Sequence, residues 1–215
     1  MIDGHICVIL AKGHSKRLPN KNKLLFDGQS LVRRTVECAK TAGVFDRIII
    51  DTDDKEIGYE CKDIEIHWRE QSVLGDEVPS ADVVFSIPDI VTSKTVTLLQ
   101  TTSPLRTPDD VSECLNILNG DIDAESIVSV VRVKNANRVL RMGQYLNPVS
   151  FDEQPCCVTN GAIWCVKTPV FLQRRSFITE KTLYYEMPKN RSIDVDTKDD
   201  FMHALALWEK GYGKN

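Results

Sequence analysis

The chain has 215 residues, enough for one large domain with a substantial core. With 42% hydrophobic and 27% charged residues it has the profile of a globular protein, which excludes a disordered one. A formal net charge of −4 excludes a general nucleic-acid surface, so any basic site must be local.

The first element is His5–Leu10 (HICVIL), a short apolar run that predicts a buried strand. Ala11–Asn22 follows as a loop rich in basic residues, with Gly, Ser, Pro and Asn between them. Leu31, Val32, Thr35, Val36 and Ala39 recur at helical spacing and predict a helix over Ser30–Thr41, stopped by Gly43. A second strand is expected at Arg47–Asp51, a short helix at Asp53–Cys61 and a third strand at Ile64–Trp68. Ser80–Pro88 reads as a helix and Thr95–Leu99 as a fourth strand. Thr107-Pro108-Asp109-Asp110 is a helix start, with Thr as N-cap, Pro at the first helical position and acids in the first turn. That helix should run to about Leu118.

Ser126–Val133 predicts a further strand, whereas Asn135–Cys157 has no firm period. Gly161–Val166 reads as a strand, Thr168–Arg174 as a short helix and Thr182–Met187 as an edge strand. A terminal helix over Thr197–Gly211 places Phe201, Ala204, Leu205 and Trp208 on one face, with Asp200 completing an acidic capping box. Strands alternate with helices through the first 130 residues. That order implies an α/β fold with a mainly parallel sheet covered on both faces. Residues 1–215 are read as a single domain, with an insertion or arm in the weakly patterned stretch 135–190.

No apolar run approaches the roughly 20 residues of a membrane span. Met1–His5 lack the basic and then apolar character of a signal peptide, and the expectation is a cytoplasmic protein. Seven cysteines, with only Cys156-Cys157 adjacent and no C-x-x-C, point to reduced and mostly buried thiols.

Four segments can carry chemistry. In Ile9–Asn22 a strand leads into a loop where Gly13 admits close backbone approach, and Lys12, Lys16, Arg17 and Lys21 can neutralise a polyphosphate. The spacing is neither a P-loop nor G-x-G-x-x-G. The bland alternative is a solvated basic loop. In Arg191–Thr197, alternation puts Asp194 and Asp196 on one side of an extended segment, a pair suited to Mg²⁺. The same acids also precede the last helix, which Thr197 caps. Leu98–Thr107 ends a strand in hydroxyls, an amide and an arginine before a capped helix, and can read a base or sugar or be a polar turn. Asn160-Gly161 before a strand is most simply a turn, and Asp53-Asp54 most simply a helix N-cap.

Together these segments resemble the acylneuraminate cytidylyltransferases, in order and over nearly the whole chain. The opening family pattern I-[LP]-A-R-x-x-S-K-x-[LI]-P-x-K-N stands here as Ile9–Asn22. Val44–Ile50 with Thr52-Asp53 fits the second strand, and Arg69 and Asp76 fit the R-P-x-x-L-x-x-D segment. Leu99–Thr107 is similar to L-Q-P-T-S-P-L-R-T. Asn160–Ile163 and Ser192–Thr197 match the last two motifs.

The resemblance implies a three-layer α/β/α, Rossmann-like nucleotidyltransferase fold with a small dimerisation arm at about 132–157. It implies transfer of CMP from CTP to the anomeric hydroxyl of a sialic-acid-like 2-keto sugar acid, with pyrophosphate released and Mg²⁺ as cofactor. Lys12, Lys16 and Lys21 would hold the triphosphate and developing charge. Asp194 and Asp196 would bind the metal. Ala11, Lys12, Gly13, Ser15, Asn22, Arg69 and Ser80 would contact the nucleotide. Gln100, Ser103, Arg106, Arg138, Asn160 and Gly161 would form the sugar side. A homodimer is expected, and neither nucleic acid nor membrane. Another sugar acid such as Kdo, or a catalytically weak nucleotide-binding homologue, are the alternatives. The chain departs from the family pattern at Lys12, where an Arg is usual. It departs again before Asn160, where Asp152–Cys157 replace a segment carrying an Arg that grips the sugar carboxylate.

Overall fold

The structure, a computed structural model, describes residues 4–75, 77–88, 90–132, 140–142, 146–148 and 156–214. Its strands are β1 (His5–Leu10), β2 (Leu25–Phe26), β3 (Gln29–Ser30), β4 (Arg47–Thr52), β5 (Glu65–Trp68), β6 (Thr95–Leu99), β7 (Ser126–Arg132), β8 (Leu140–Met142), β9 (Leu146–Pro148), β10 (Cys157–Lys167) and β11 (Thr182–Glu186). The helices are α1 (Leu31–Ala42), α2 (Lys55–Glu60), α3 (Ser80–Phe85), α4 (Pro108–Gly120), α5 (Thr168–Arg174) and α6 (Lys198–Glu209). Seven strands form one sheet in the order β11-β7-β10-β6-β1-β4-β5. All run the same way except β10, which is antiparallel to both β6 and β7.

The inner strands of the sheet are buried on both faces, and the two-residue period of β1 shows why its run had to be apolar throughout. Cys7 and Ile9 face one core with Val32 and Val36 of α1 and Val111 and Leu115 of α4. Ile6 and Val8 face the other, with Val84 of α3 and Phe171 of α5. Each such side chain contributes roughly 1.5–3 kcal/mol on burial. A third cluster joins Phe26, Leu31, Leu105 and Val195 to Ala204 of α6. Helix ends follow local chemistry: Ser30 caps α1 and Gly43 ends it at φ 66°. Thr107–Asp110 and Thr197–Asp200 form reciprocal capping boxes.

Three expectations shift. The second helix is shorter than Asp53–Cys61 because Asp54 is its N-cap, accepting from the amides of Glu56 and Ile57. The β2–β3 hairpin has no counterpart in the sequence reading, since two-residue strands carry no period. Asn160-Gly161 is no turn: it sits in a bulge inside β10, which begins at Cys157. The expected dimerisation arm falls mostly on 133–139, 143–145 and 149–155, outside the described residues; β8 and β9 pair antiparallel within it. Among the described residues no helix is long and apolar enough to cross a membrane. Cys7, Cys61, Cys114 and Cys165 are buried free thiols whose pKa values burial pushes up.

Candidate active site

A cleft of about 350 Å³ opens beyond the carboxyl ends of β1 and β6, where ligands collect in open α/β sheets. Lys12, Arg17, Lys21 and Asn22 line one side, Asp194 and Asp196 another, with Arg69, Ser80 and Gln100 completing the wall. A neighbouring hollow of about 260 Å³ shares Lys12, Arg17, Lys21 and Asn22 and adds Ser15 and Lys16. The basic loop and the acidic pair, far apart in sequence, therefore meet.

The loop is braced from β4 and β6. The amide of Ala11 donates to Asp51 O at 2.9 Å, and Thr52 Oγ1 donates to Ala11 O at 2.6 Å. Gly13 N–H donates to Asp53 Oδ1 at 2.7 Å. A Cβ on Gly13 would lie 2.8 Å from Asp54 Cβ, so glycine is needed here for packing on Asp54. Asn22 Nδ2 donates to Lys12 O at 2.7 Å, while its Oδ1 accepts from buried Thr101 at 2.6 Å. One end of that amide thus closes the loop on itself and the other ties it to the segment that follows β6.

The acidic pair is held at three points. Arg191 donates to both carboxylate oxygens of buried Asp110, at the start of α4, and to Thr107 Oγ1. Asn160 Nδ2, from the β10 bulge, donates to Ser192 Oγ at 3.0 Å. Val195 N–H donates to Thr102 O at 2.8 Å, and the Val195 side chain is buried. Alternation then turns Asp194 and Asp196 to the cleft. Asp196 pairs with Arg17 at 2.7 Å and Lys21 at 3.0 Å. Asp194 is exposed at the cleft mouth, yet the protein packed around it raises its pKa. Desolvation by the surrounding protein is the main cause; the Thr102 hydroxyl and Lys21 lower it, and nearby Asp196 raises it.

Gly161, at φ 77°, lies where a Cβ would be 2.7 Å from Gln100 Oε1 and 3.7 Å from Asp194 Oδ2. Its lack of a side chain lets Gln100 and the acidic segment approach. Arg69 is oriented by buried Asp51, which accepts from Arg69 Nε and also bonds His67 Nδ1 at 2.8 Å.

Other predicted residues sit elsewhere. Ser103 and Arg106 are buried and do not line the cleft. Arg106 Nη1 donates to Gln100 O at 3.0 Å and Ala162 O at 2.7 Å, stitching β6 to β10. Asn160 is buried, its Oδ1 accepting from Ser129 Oγ. Ala11 is buried at the end of β1, and Gly13 N–H is engaged with Asp53. Arg138 and Asp76 lie outside the described residues. The sequence alone gives no site role to Asp51 or Arg191, and it reads Asp110 only as a first-turn acid of a helix and Thr101 only as part of a polar stretch. Only long-range pairing reveals them, although Arg191 beside the acidic motif was a signal of a kind.

The donor set suits a hard cation that takes one or two protein carboxylates and completes its shell with phosphate oxygens and water. Two like charges at one cleft edge, one of them with a raised pKa, are the arrangement a divalent cation relieves. Among the described residues no cluster of three or more His, Cys, Asp or Glu offers a richer site.

A sequence profile of the family described as Cytidylyltransferase matches residues 6–202. An N-acylneuraminate cytidylyltransferase of Streptococcus agalactiae is 31% identical over 93% of this chain and 52% of its own length. The chain thus spans about half the length of that relative. A CMP-N,N'-diacetyllegionaminic acid synthase of Legionella pneumophila is 27% identical over 95% of this chain and 96% of its own. In fold, the chain is similar to a CMP:2-keto-3-deoxy-manno-octonic acid synthetase solved with CTP. The TM-score is 0.74 at 17% identity, over 96% of this chain and 99% of the other. A 4-diphosphocytidyl-2C-methyl-D-erythritol synthase of Anaerococcus prevotii matches at TM-score 0.70 and 13% identity, over 96% and 99%. The profile match runs from β1 into α6, through the loop and the acidic segment that line the cleft: this chain belongs to the cytidylyltransferase family.

Proposed function

We propose that the chain transfers CMP from CTP to the anomeric hydroxyl of a sialic-acid-like nonulosonic acid, releasing pyrophosphate in a Mg²⁺-dependent reaction. The meeting of the Lys12–Lys21 loop with Asp194 and Asp196 beside Gln100, in one cleft, carries the reading. Such a transfer needs positioning and charge neutralisation more than covalent catalysis.

In this reading Lys12, Lys16 and Lys21 bind the triphosphate and stabilise charge on the departing pyrophosphate. Arg17 leaves Asp196 and turns toward phosphate as the nucleotide arrives. Asp194 and Asp196 would hold Mg²⁺, which would supply charge neutralisation and a lowered pKa for a nearby hydroxyl. Arg69 and Ser80 face the nucleoside, with Asp51 keeping the Arg69 guanidinium in place. Asn22 acts through its brace on Lys12. Gln100 and Gly161 border the sugar end.

The sialic branch is supported by the 31% identity to the streptococcal relative and by the Ser192–Thr197 motif. A homodimer through residues 132–157 belongs to the same proposal, and light scattering on the purified chain checks it.

The test is pyrophosphate release with each NTP, Mg²⁺ and a panel of sialic, legionaminic, pseudaminic and Kdo-type acids. Release with CTP and a nonulosonic acid is the expected result. Release with Kdo alone would overturn the sialic assignment. Demonstrable CTP binding with no release from any pair would overturn catalysis and leave a nucleotide-binding homologue.

A further inference from the structure

A second pocket, of about 180 Å³, lies away from the cleft, between α1, the start of α4 and the C-terminal turn after α6. Arg34, Arg106 and Trp208 line it, with Gly213 forming part of one wall. Gly213 packs so closely that a Cβ there would stand 2.9 Å from the Leu105 backbone.

The lining sets the donors of Arg34, Arg106 and Trp208 beside Gln29, Thr41 and the Glu37 carboxylate. Arg106 is 4% exposed and spends Nη1 on two carbonyls, yet its Nε has no hydrogen-bond partner among the described residues. The Trp208 indole N–H is likewise buried without one. Arg34 donates Nε to Pro104 O, and its guanidinium stacks 3.9 Å from the Trp208 ring. Among the described residues no carboxylate pairs with Arg34 or Arg106. Glu37 lines the pocket but is paired with Arg33 at 2.5 Å, and Asp27 acts on Arg34 only through space. Lys214 adds a cation 5.0 Å from the Trp208 ring.

Buried donors left unpaired cost about 1–3 kcal/mol each, more when charged, so native structures pair nearly all of them. An acceptor-only ion with several oxygens satisfies guanidinium and indole donors together, and guanidinium forks favour oxyanions. The pocket is smaller than the roughly 300–1,000 Å³ of organic-ligand sites. We propose that it binds one small tetrahedral oxyanion of phosphate size, held by Arg34, Arg106 and the Trp208 N–H. Because Arg106 also holds the carbonyls of Gln100 and Ala162, the anion would brace the far side of the β6–β10 junction.

Titration calorimetry of inorganic phosphate into the full chain, at constant ionic strength, tests this. The triphosphate cleft also attracts phosphate, so the variants must separate the two places. Trp208→Phe keeps the ring and its stacking while removing the N–H; Arg34→Gln removes a charge. The expected result is one saturable phosphate site that survives Lys21→Gln. It should weaken on the order of tenfold in Trp208→Phe and more in Arg34→Gln. Binding that disappears in Lys21→Gln and is untouched by the two pocket variants would overturn the proposal. So would the lack of any saturable site in the folded parent.

Discussion

Arg191 fastens the acidic segment to α4, and its removal gives the sharpest test of how the site is held. In Arg191→Ala, Asp110 loses two donated bonds and its one cationic partner among the described residues, and Thr107 loses one bond. Asp110 is fully buried and Arg191 mostly so. Removing one partner of such a pair costs about 3–5 kcal/mol, because the remaining charge is stranded. Asp110 keeps the Thr107 amide, the Thr107 hydroxyl and the Tyr185 hydroxyl, which points to the low end, about 3 kcal/mol. For a chain of this size that lowers Tm by about 6–12 °C. Asp194 lies three residues on, so turnover should fall further than stability alone explains, by about tenfold to a hundredfold with a higher Mg²⁺ requirement. Arg191→Lys keeps the charge without the two-pronged geometry and should fall between. Thermal unfolding by circular dichroism and pyrophosphate release over a Mg²⁺ titration provide the readings. If Arg191→Ala unfolds within about 2 °C of the parent and needs no more Mg²⁺, Arg191 does not clamp the acidic segment.

Asp194→Asn should abolish turnover yet raise the unfolding temperature of the metal-free protein at neutral pH. A carboxyl whose folded pKa is raised adds stability below its unfolded pKa and loses it as pH rises through the folded value. The gain should therefore vanish below about pH 4; a variant less stable than the parent at pH 7 would contradict the sign. Gly161→Ala forces an alanine to φ 77° and a Cβ against Gln100 Oε1. It should cost about 1–2 kcal/mol and raise the KM for the sugar acid more than that for CTP. Equal effects on both KM values would place Gln100 elsewhere. Thr101→Val strands Asn22 Oδ1 and should destabilise by about 1–3 kcal/mol while weakening CTP binding through Lys12. Unchanged CTP affinity, measured by calorimetry, would detach the brace from the nucleotide.

Much of the architecture was legible because its signals are local. The β1 run, the Thr107 and Thr197 capping boxes and the Asp194/Asp196 alternation each declare themselves within a few residues. What stayed hidden depends on distant partners. Arg106 stands in a polar stretch that reads as substrate-facing, but β10 brings Ala162 O to it from 56 residues away. Asn160-Gly161 reads as a turn until β7 supplies Ser129 to hold it in a strand bulge. Gly13 suggests an open anion nest, yet Asp53 has already taken its amide. The β2–β3 hairpin escapes for another reason: Asp27, at φ 50°, and Gly28 make a tight turn between strands too short to show alternation.

The bonds from Thr52, Asp53 and Thr101 into the first loop bear on the thermodynamics of recognition. A basic loop left to itself would surrender conformational entropy on binding, about 1–2 kcal/mol for each residue fixed. Here Ala11, Lys12, Gly13 and Asn22 are tied during folding, before any nucleotide arrives. The ordering cost is met from the stability of the whole sheet, so under the proposed function a triphosphate would encounter a preorganised receptor. A heat-capacity change on binding smaller than that of a folding loop is the calorimetric mark of such a receptor.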